Sequence, residues 1–162
     1  MFIDGLLAHG LCPRLFQERV VTLTTSVVAK PGNKSVRIGQ DGSAWIEGYR
    51  CGSCRAVMSV QTIACRACAS RVAPEAYRSP ETGKLYTWSV VHRSYPGVAV
   101  PFVSAIVDLD GGLSFKGTLK GVEPADLNEG MPVHLVFDDA GGAVDDDGVP
   151  YVGFHFVAGD GK

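Results

Sequence analysis

The chain has 162 residues, with 15 Lys+Arg against 17 Asp+Glu and five cysteines. Its 46% hydrophobic and 20% charged residues fit a globular chain and exclude an intrinsically disordered one. The net charge of −2 hides a polarised chain: residues 1–104 carry a net +6 and residues 105–162 a net −8.

In chain order, residues 1–43 read as an N-terminal extension. Leu6, Leu7, Leu11, Leu15 and Phe16 share a helical side, but Gly5, Gly10 and Pro13 interrupt it. Val20–Val28 is β-branched and strand-like, and Pro31-Gly32-Asn33 and Gln40–Ser43 read as turns. Met1–Arg14 lacks the early positive charge of a secretory leader, and Asp4 and His9 break its apolar stretch. No run of ~18 apolar residues predicts a membrane span. The default expectation is a cytoplasmic protein.

Residues 44–75 hold Cys51-x-x-Cys54 and Cys65-x-x-Cys68, separated by ten residues. Each pair fits a tight turn that aims two sulfurs at one point. Two such turns supply four thiolates to a tetrahedral ion, and zinc suits that set, with iron as the main competitor. A closed four-sulfur shell leaves no open position, so the expected role is structural. Ile46, Tyr49, Val57, Met58, Val60 and Ile63 are too few for an adequate core, so metal binding must supply folding free energy. A thioredoxin-like redox site needs only one such pair, at a strand–helix junction. Two disulfides would require an oxidising compartment. Cys12 stands apart and reads as a free thiol. The expectation is a rubredoxin-like four-cysteine zinc ribbon.

Residues 76–162 show five short stretches of period-two alternation. In Tyr86–His92, the residues Tyr86, Trp88 and Val90 share a face. Val103, Ala105, Val107 and Leu109 do so in the next stretch, then Leu113, Phe115 and Leu119. Val133, Leu135 and Phe137 follow, and last Val152, Phe154 and Phe156. Gly- and Asp-rich turns separate them. Five strands in ~80 residues with little helix predict a mainly β protein whose second domain is a closed barrel of the OB type. Closure removes the exposed edges of an open sheet. The acidic stretch Asp138–Asp147 reads as a solvated hairpin loop.

Catalytic motifs are missing from the pattern: there is no G-x-S-x-G, P-loop or dinucleotide fingerprint. His92, His134 and His155 read as outward-facing or hydrogen-bonded barrel residues. His92, Arg93, Tyr95, Pro96 and Gly97 form a strand end and loop, where binding residues often sit. Single-stranded nucleic acid is the obvious alternative ligand for a zinc ribbon and OB barrel. The barrel half argues against it: Lys116 and Lys120 are the only basic residues of its strands, and Phe102, Phe115, Phe154 and Phe156 read as core.

The order Cys51–Cys54, Cys65–Cys68, then Ser89-Val90-Val91-His92, Pro101, Val107-Asp108-Leu109-Asp110-Gly111-Gly112 and Gly130-Met131-Pro132-Val133 resembles a known family. It is that of the acyl-CoA-associated zinc-ribbon/OB-fold proteins, domain of unknown function 35, and the likeness covers residues 44–160. The resemblance implies an accessory subunit beside a thiolase-fold protein, in a heterotetramer. Such complexes make or break carbon–carbon bonds in acyl-CoA thioesters: thiolases and retro-aldolases of aromatic-acid or steroid degradation, and acyltransferases. It implies structural Zn2+ on Cys51, Cys54, Cys65 and Cys68, a CoA thioester as substrate of the complex, and no catalytic residue on this chain. His92–Gly97 become candidates for the partner interface or channel rim, with Arg93 placed to meet a CoA phosphate. The remaining alternative is an autonomous acyl-CoA binder or hydrolase.

Overall fold

A computed structural model of the protein describes residues 29–159. The helical side of Leu6–Phe16, the strand-like Val20–Val28 and Cys12 lie outside the described residues. Ten strands run in order: β1 (Lys30–Pro31), β2 (Val36–Ile38), β3 (Ala44–Arg50), β4 (Val57–Met58), β5 (Glu75–Arg78), β6 (Thr82–Val91), β7 (Phe102–Leu109), β8 (Ser114–Lys120), β9 (Pro132–Asp138) and β10 (Tyr151–Ala158). A short 3-10 turn, Pro124–Asp126, precedes β9.

The last five strands form a ring. Strand β6 pairs antiparallel with β7, β7 with β8, and β9 with both β10 and β6, while β8 and β10 close the circle in parallel. This is the OB-type barrel that the alternation predicts. Alternate residues point inward, so one side chain in two enters the core. Val103, Ala105, Val107 and Leu109 do so from β7, Phe115 and Leu119 from β8, Val133 and Leu135 from β9, and Phe156 from β10.

Two expected faces differ. Tyr86 does not share the face of Trp88: its side chain is 57% exposed, while Leu85 is buried and Trp88 packs against the core. The β6–β7 register shifts between Leu85 and Thr87. A bulge there inserts one residue and flips the phase of the strand. Phe102 also points away from the core cluster, because Val103 takes the inward position.

The ribbon is a four-stranded sheet centred on β3. Its first half pairs with β2, and its second half lies between β4 and β5. The sheet therefore runs from Val36 to Arg78. Val36 and Ile46 are a cross-strand pair, both fully buried, and they belong to the same hydrophobic cluster as the barrel. Ribbon and barrel thus share one core. One close approach between them needs Gly48: a Cβ there would sit 2.6 Å from Leu113 Cδ1, and 2.9 Å from the Met58 carbonyl oxygen of the ribbon itself.

Arg50 lies over the Tyr77 ring at 4.1 Å, a cation–π contact across the β3–β5 pair. Val60 and Ile63, expected in the ribbon core, are exposed, Ile63 by 90%. They sit on the connection after β4, which no other strand pairs with, so nothing is there to bury them.

Candidate functional site

The candidate metal site is built by two backbone turns with the same hydrogen-bond pattern. At the end of β3, the Cys51 N–H donates to the Ala56 carbonyl at 2.9 Å and the Arg55 N–H to the Cys51 carbonyl at 3.0 Å. Fourteen residues later, the Cys65 N–H donates to the Ser70 carbonyl and the Ala69 N–H to the Cys65 carbonyl, both at 2.8 Å. The residue after each second cysteine takes the left-handed region, Arg55 at φ 65° and Ala69 at φ 60°. Neither is glycine, so each costs on the order of 1 kcal/mol, which a bound ion would offset. The Ser53 and Ser70 hydroxyls meet at 2.8 Å and join the two turns.

These turns bring Cys51, Cys54, Cys65 and Cys68 together, with all four sulfurs within 4.8 Å of one another. Cys51 and Cys68 are 3.8 Å apart, Cys54 and Cys65 3.6 Å. A metal–sulfur bond of about 2.3 Å gives a tetrahedron with edges of roughly 3.8 Å. The donor set therefore fits a four-coordinate thiophilic ion. Cys51 and Cys65 are buried and Cys54 and Cys68 exposed.

The thiols do not titrate alike. Backbone N–H groups of Cys54 and Ser53 pull Cys51 down to about 6. The Ser70 N–H favours a Cys68 thiolate too, but the crowded thiols of Cys54, Cys65 and Cys51, with desolvation, outweigh it and push Cys68 up to about 12. One thiolate forms readily and a fourth does not without a cation at the centre.

The loop from His92 to Gly97 joins β6 to β7 and is exposed throughout, Tyr95 by 84%. Arg93 makes no ion pair among the described residues. None of these loop residues lines the neighbouring 570 Å³ groove; Val98, Ala99 and Pro101, just after them, do. Four arginines of the basic half are engaged within the ribbon: Arg37 lies 2.9 Å from Glu47, and Arg78 lies over the Trp45 ring at 5.3 Å. Arg50 stacks on Tyr77 and Arg55 lies 4.0 Å from Glu75.

One pair escaped the sequence reading. Asp138 Oδ2 lies 2.6 Å from His155 Nδ1 and 3.6 Å from Lys120 Nζ. His155 read as a hydrogen-bonded barrel residue, but its partner depends on the β9–β10 register, which the sequence does not display. Desolvation of Asp138 works to raise its pKa. The His155 hydrogen bond, with the Ala140 N–H and the Lys120 charge, outweighs it and leaves the carboxyl below its ordinary value. A carboxyl depressed in the folded state stabilises the fold above its unfolded pKa, and that contribution is lost as pH falls through the folded value. Asp138→Asn should therefore cost about 1 kcal/mol near neutral pH and flatten the acid limb of stability against pH. Urea unfolding between pH 7 and pH 3 measures both. An unchanged acid limb would remove Asp138 from the account.

Comparison with known proteins bears on this arrangement. Residues 76–138 match a family model described as "ChsH2, C-terminal OB-fold domain". A DUF35 domain-containing scaffold protein of Methanocaldococcus jannaschii is 33% identical over 116 residues, which is 67% of this chain and 78% of that protein. The 3-oxo-4,17-pregnadiene-20-carboxyl-CoA hydratase alpha subunit of Mycobacterium tuberculosis is 40% identical over 58 residues, 35% of this chain and 19% of that subunit. A probable enoyl-CoA hydratase alpha subunit of Thermomonospora curvata is 28% identical over 107 residues, 60% of this chain and 33% of that subunit. Among solved structures, a chain of the Ltp2-ChsH2(DUF35) aldolase superposes with a TM-score of 0.58 at 25% identity, covering 70% of this chain and 84% of that one.

Proposed function

The chain belongs to the DUF35 family of OB-fold proteins associated with acyl-CoA enzymes, and from that membership we propose that it is a non-catalytic subunit of a heteromeric acyl-CoA-processing enzyme. The reaction is the making or breaking of a carbon–carbon bond in an acyl-CoA thioester, and a thiolase-fold partner carries the catalytic residues. The observation that carries this reading is the superposition, over 70% of the chain, on a DUF35-containing aldolase chain. The archaeal relative is a scaffold protein, which points the same way.

The chain's own parts divide the work. Cys51, Cys54, Cys65 and Cys68 hold zinc, which supplies rigidity to the ribbon and no open coordination position. The exposed loop His92–Gly97 forms the partner interface or the rim of the CoA-ester channel, with Arg93 facing a CoA phosphate. A second subunit closing such a channel excludes water and orients the thioester. By family resemblance the assembly is a heterotetramer, and the cytoplasm is its default location. No helix among the described residues is long and apolar enough to cross a membrane.

The test is co-expression with a thiolase-fold protein. The expected result is co-elution as one complex, with acyl-CoA turnover by the pair and little by either chain alone. Full activity of the partner alone would overturn the reading. A second reading, a subunit of a CoA-ester hydratase complex, is favoured by the two hydratase relatives. This chain spans only a fifth and a third of their lengths. Product analysis separates the readings, because hydration adds water and leaves the carbon skeleton intact.

A further inference from the structure

Between residues 105 and 159 the chain has ten acidic and only two basic side chains, Lys116 and Lys120. Both lysines project outward from β8, two positions either side of Thr118. Both line a single 750 Å³ groove on the outside of the barrel, distinct from the loop and the cysteine site. In the strongly acidic stretch 105–159, the two positive charges share one concavity.

The sheet register fills in the rest of that surface. Ser104 on β7 is the cross-strand partner of Thr118 and faces the same groove. The parallel pairs Phe156–Leu119 and Val157–Lys120 set β10 against β8, so His155 falls beside Thr118. The result is a row of His155, Thr118 and Ser104 across three strands, flanked by a lysine on each side. Two hydroxyls, two ammonium groups and an imidazole make a donor-rich surface. The one carboxylate in the groove, Asp138, is already held by His155, by Lys120 and by the Ala140 N–H at 3.0 Å. Lys116 has no ion-pair partner among the described residues.

We propose that the outer face of β7 and β8 is a binding site for the phosphate groups of a small-molecule phosphate ester, with Lys116 and Lys120 pairing with the charge and Ser104 and Thr118 donating hydrogen bonds. The second and third strands of an OB barrel are a general ligand face. Phosphate oxygens take several donors at once, which matches a mixed row of hydroxyls and lysines. A small ligand fits better than a nucleic-acid strand. A strand carries its phosphates beyond the groove, where the surrounding barrel is acidic and would repel them. This deepens the function proposed above and rests on it only for the identity of the ester, the phosphates of a CoA thioester.

The experiment titrates the full-length protein with inorganic pyrophosphate, with CoA and with a short oligothymidylate, following binding by calorimetry and amide NMR shifts. Pyrophosphate and CoA are expected to bind and to move the signals of Ser104, Lys116, Thr118 and His155. The Lys116→Gln/Lys120→Gln variant should weaken both by roughly tenfold or more, and rising salt should do the same. Both lysines are exposed and only Lys120 is paired, at 3.6 Å from Asp138, so the variant should lose little of its thermal midpoint. Absence of pyrophosphate binding, binding that the double variant leaves unchanged, or tighter binding of the oligonucleotide than of CoA would each overturn the site. Pyrophosphate binding without CoA binding would leave the phosphate site standing and count against CoA as its ester. Failure of the thiolase-fold partner to co-elute would count against the subunit reading alone.

Discussion

Cys51→Ser is expected to release the metal ion and to unravel the ribbon while the barrel stays folded. Serine keeps the shape of the side chain but removes a soft, ionisable donor from a closed four-sulfur shell. Structural zinc in finger-type sites contributes about 10 kcal/mol or more of apparent binding free energy, and that is folding free energy for the segment it organises. Little else would hold the two knuckles. Val60 and Ile63 are exposed, and the ribbon residues that reach the shared core, Val36 and Ile46 with Ile38, Val57 and Tyr77 packed against it, all lie outside the two cysteine turns. The left-handed Arg55 and Ala69 would lose the interaction that offsets their strain. Metal analysis should fall from one ion per chain to near zero, and Cys65→Ser should behave alike. Hydrogen exchange should accelerate at Glu47–Arg50, where β3 pairs with β4 and β5, and stay slow in β7. Full metal content and unchanged protection in either variant would refute the structural-metal assignment.

Phe156→Ala should have the largest effect on the barrel itself. Phe156 is fully buried, the largest side chain to be so among the described residues. Its ring lies edge-on to Phe154 at 5.9 Å between centroids, and it faces Gly117, where a Cβ would come within 2.8 Å of it. The absent side chain at 117 makes the space that the ring fills. Truncation leaves a cavity that β-strands in a closed ring cannot collapse into, so the cost should be about 3–5 kcal/mol. That is a large share of the 5–15 kcal/mol typical of a domain. Urea unfolding measures it as a lower midpoint at similar slope. A loss under about 1 kcal/mol would mean that the barrel repacks around position 156. Phe156 comes from β10, the strand that pairs with both β8 and β9. The variant therefore tests the closure of the ring as well as its filling.

The candidate metal site was legible because its information is local. Two residues separate the cysteines of each pair, so a single turn fixes their approach, and only the meeting of the two turns needs tertiary structure. The inward faces of β7, β8, β9 and β10 were legible for a similar reason: alternation is a property of one strand. The expectation failed at Tyr86, where the register with β7 inserts a bulge. It failed at Val60 and Ile63, where apolar character found no surface to pack against. Phe102 was expected in the core for its aromatic ring, yet its place in the alternation sends it outward. The Asp138–His155 pair and the Lys116–Lys120 groove were not legible as sites. Their members lie on different strands or meet only through the β8–β10 and β9–β10 pairings.

By itself the sequence determined the elements that depend on neighbours along the chain. These are two cysteine knuckles with the donor chemistry for a thiophilic ion, five alternating strands in the right number for a small barrel, and a charge split of +6 and −8. The tertiary structure alone decided which strands meet, and hence that ribbon and barrel share one core. It also decided that Lys116 and Lys120 face one groove. The reason is that spacing along a chain encodes turns and faces, whereas pairing register is settled by the collective packing of all the strands that close the ring.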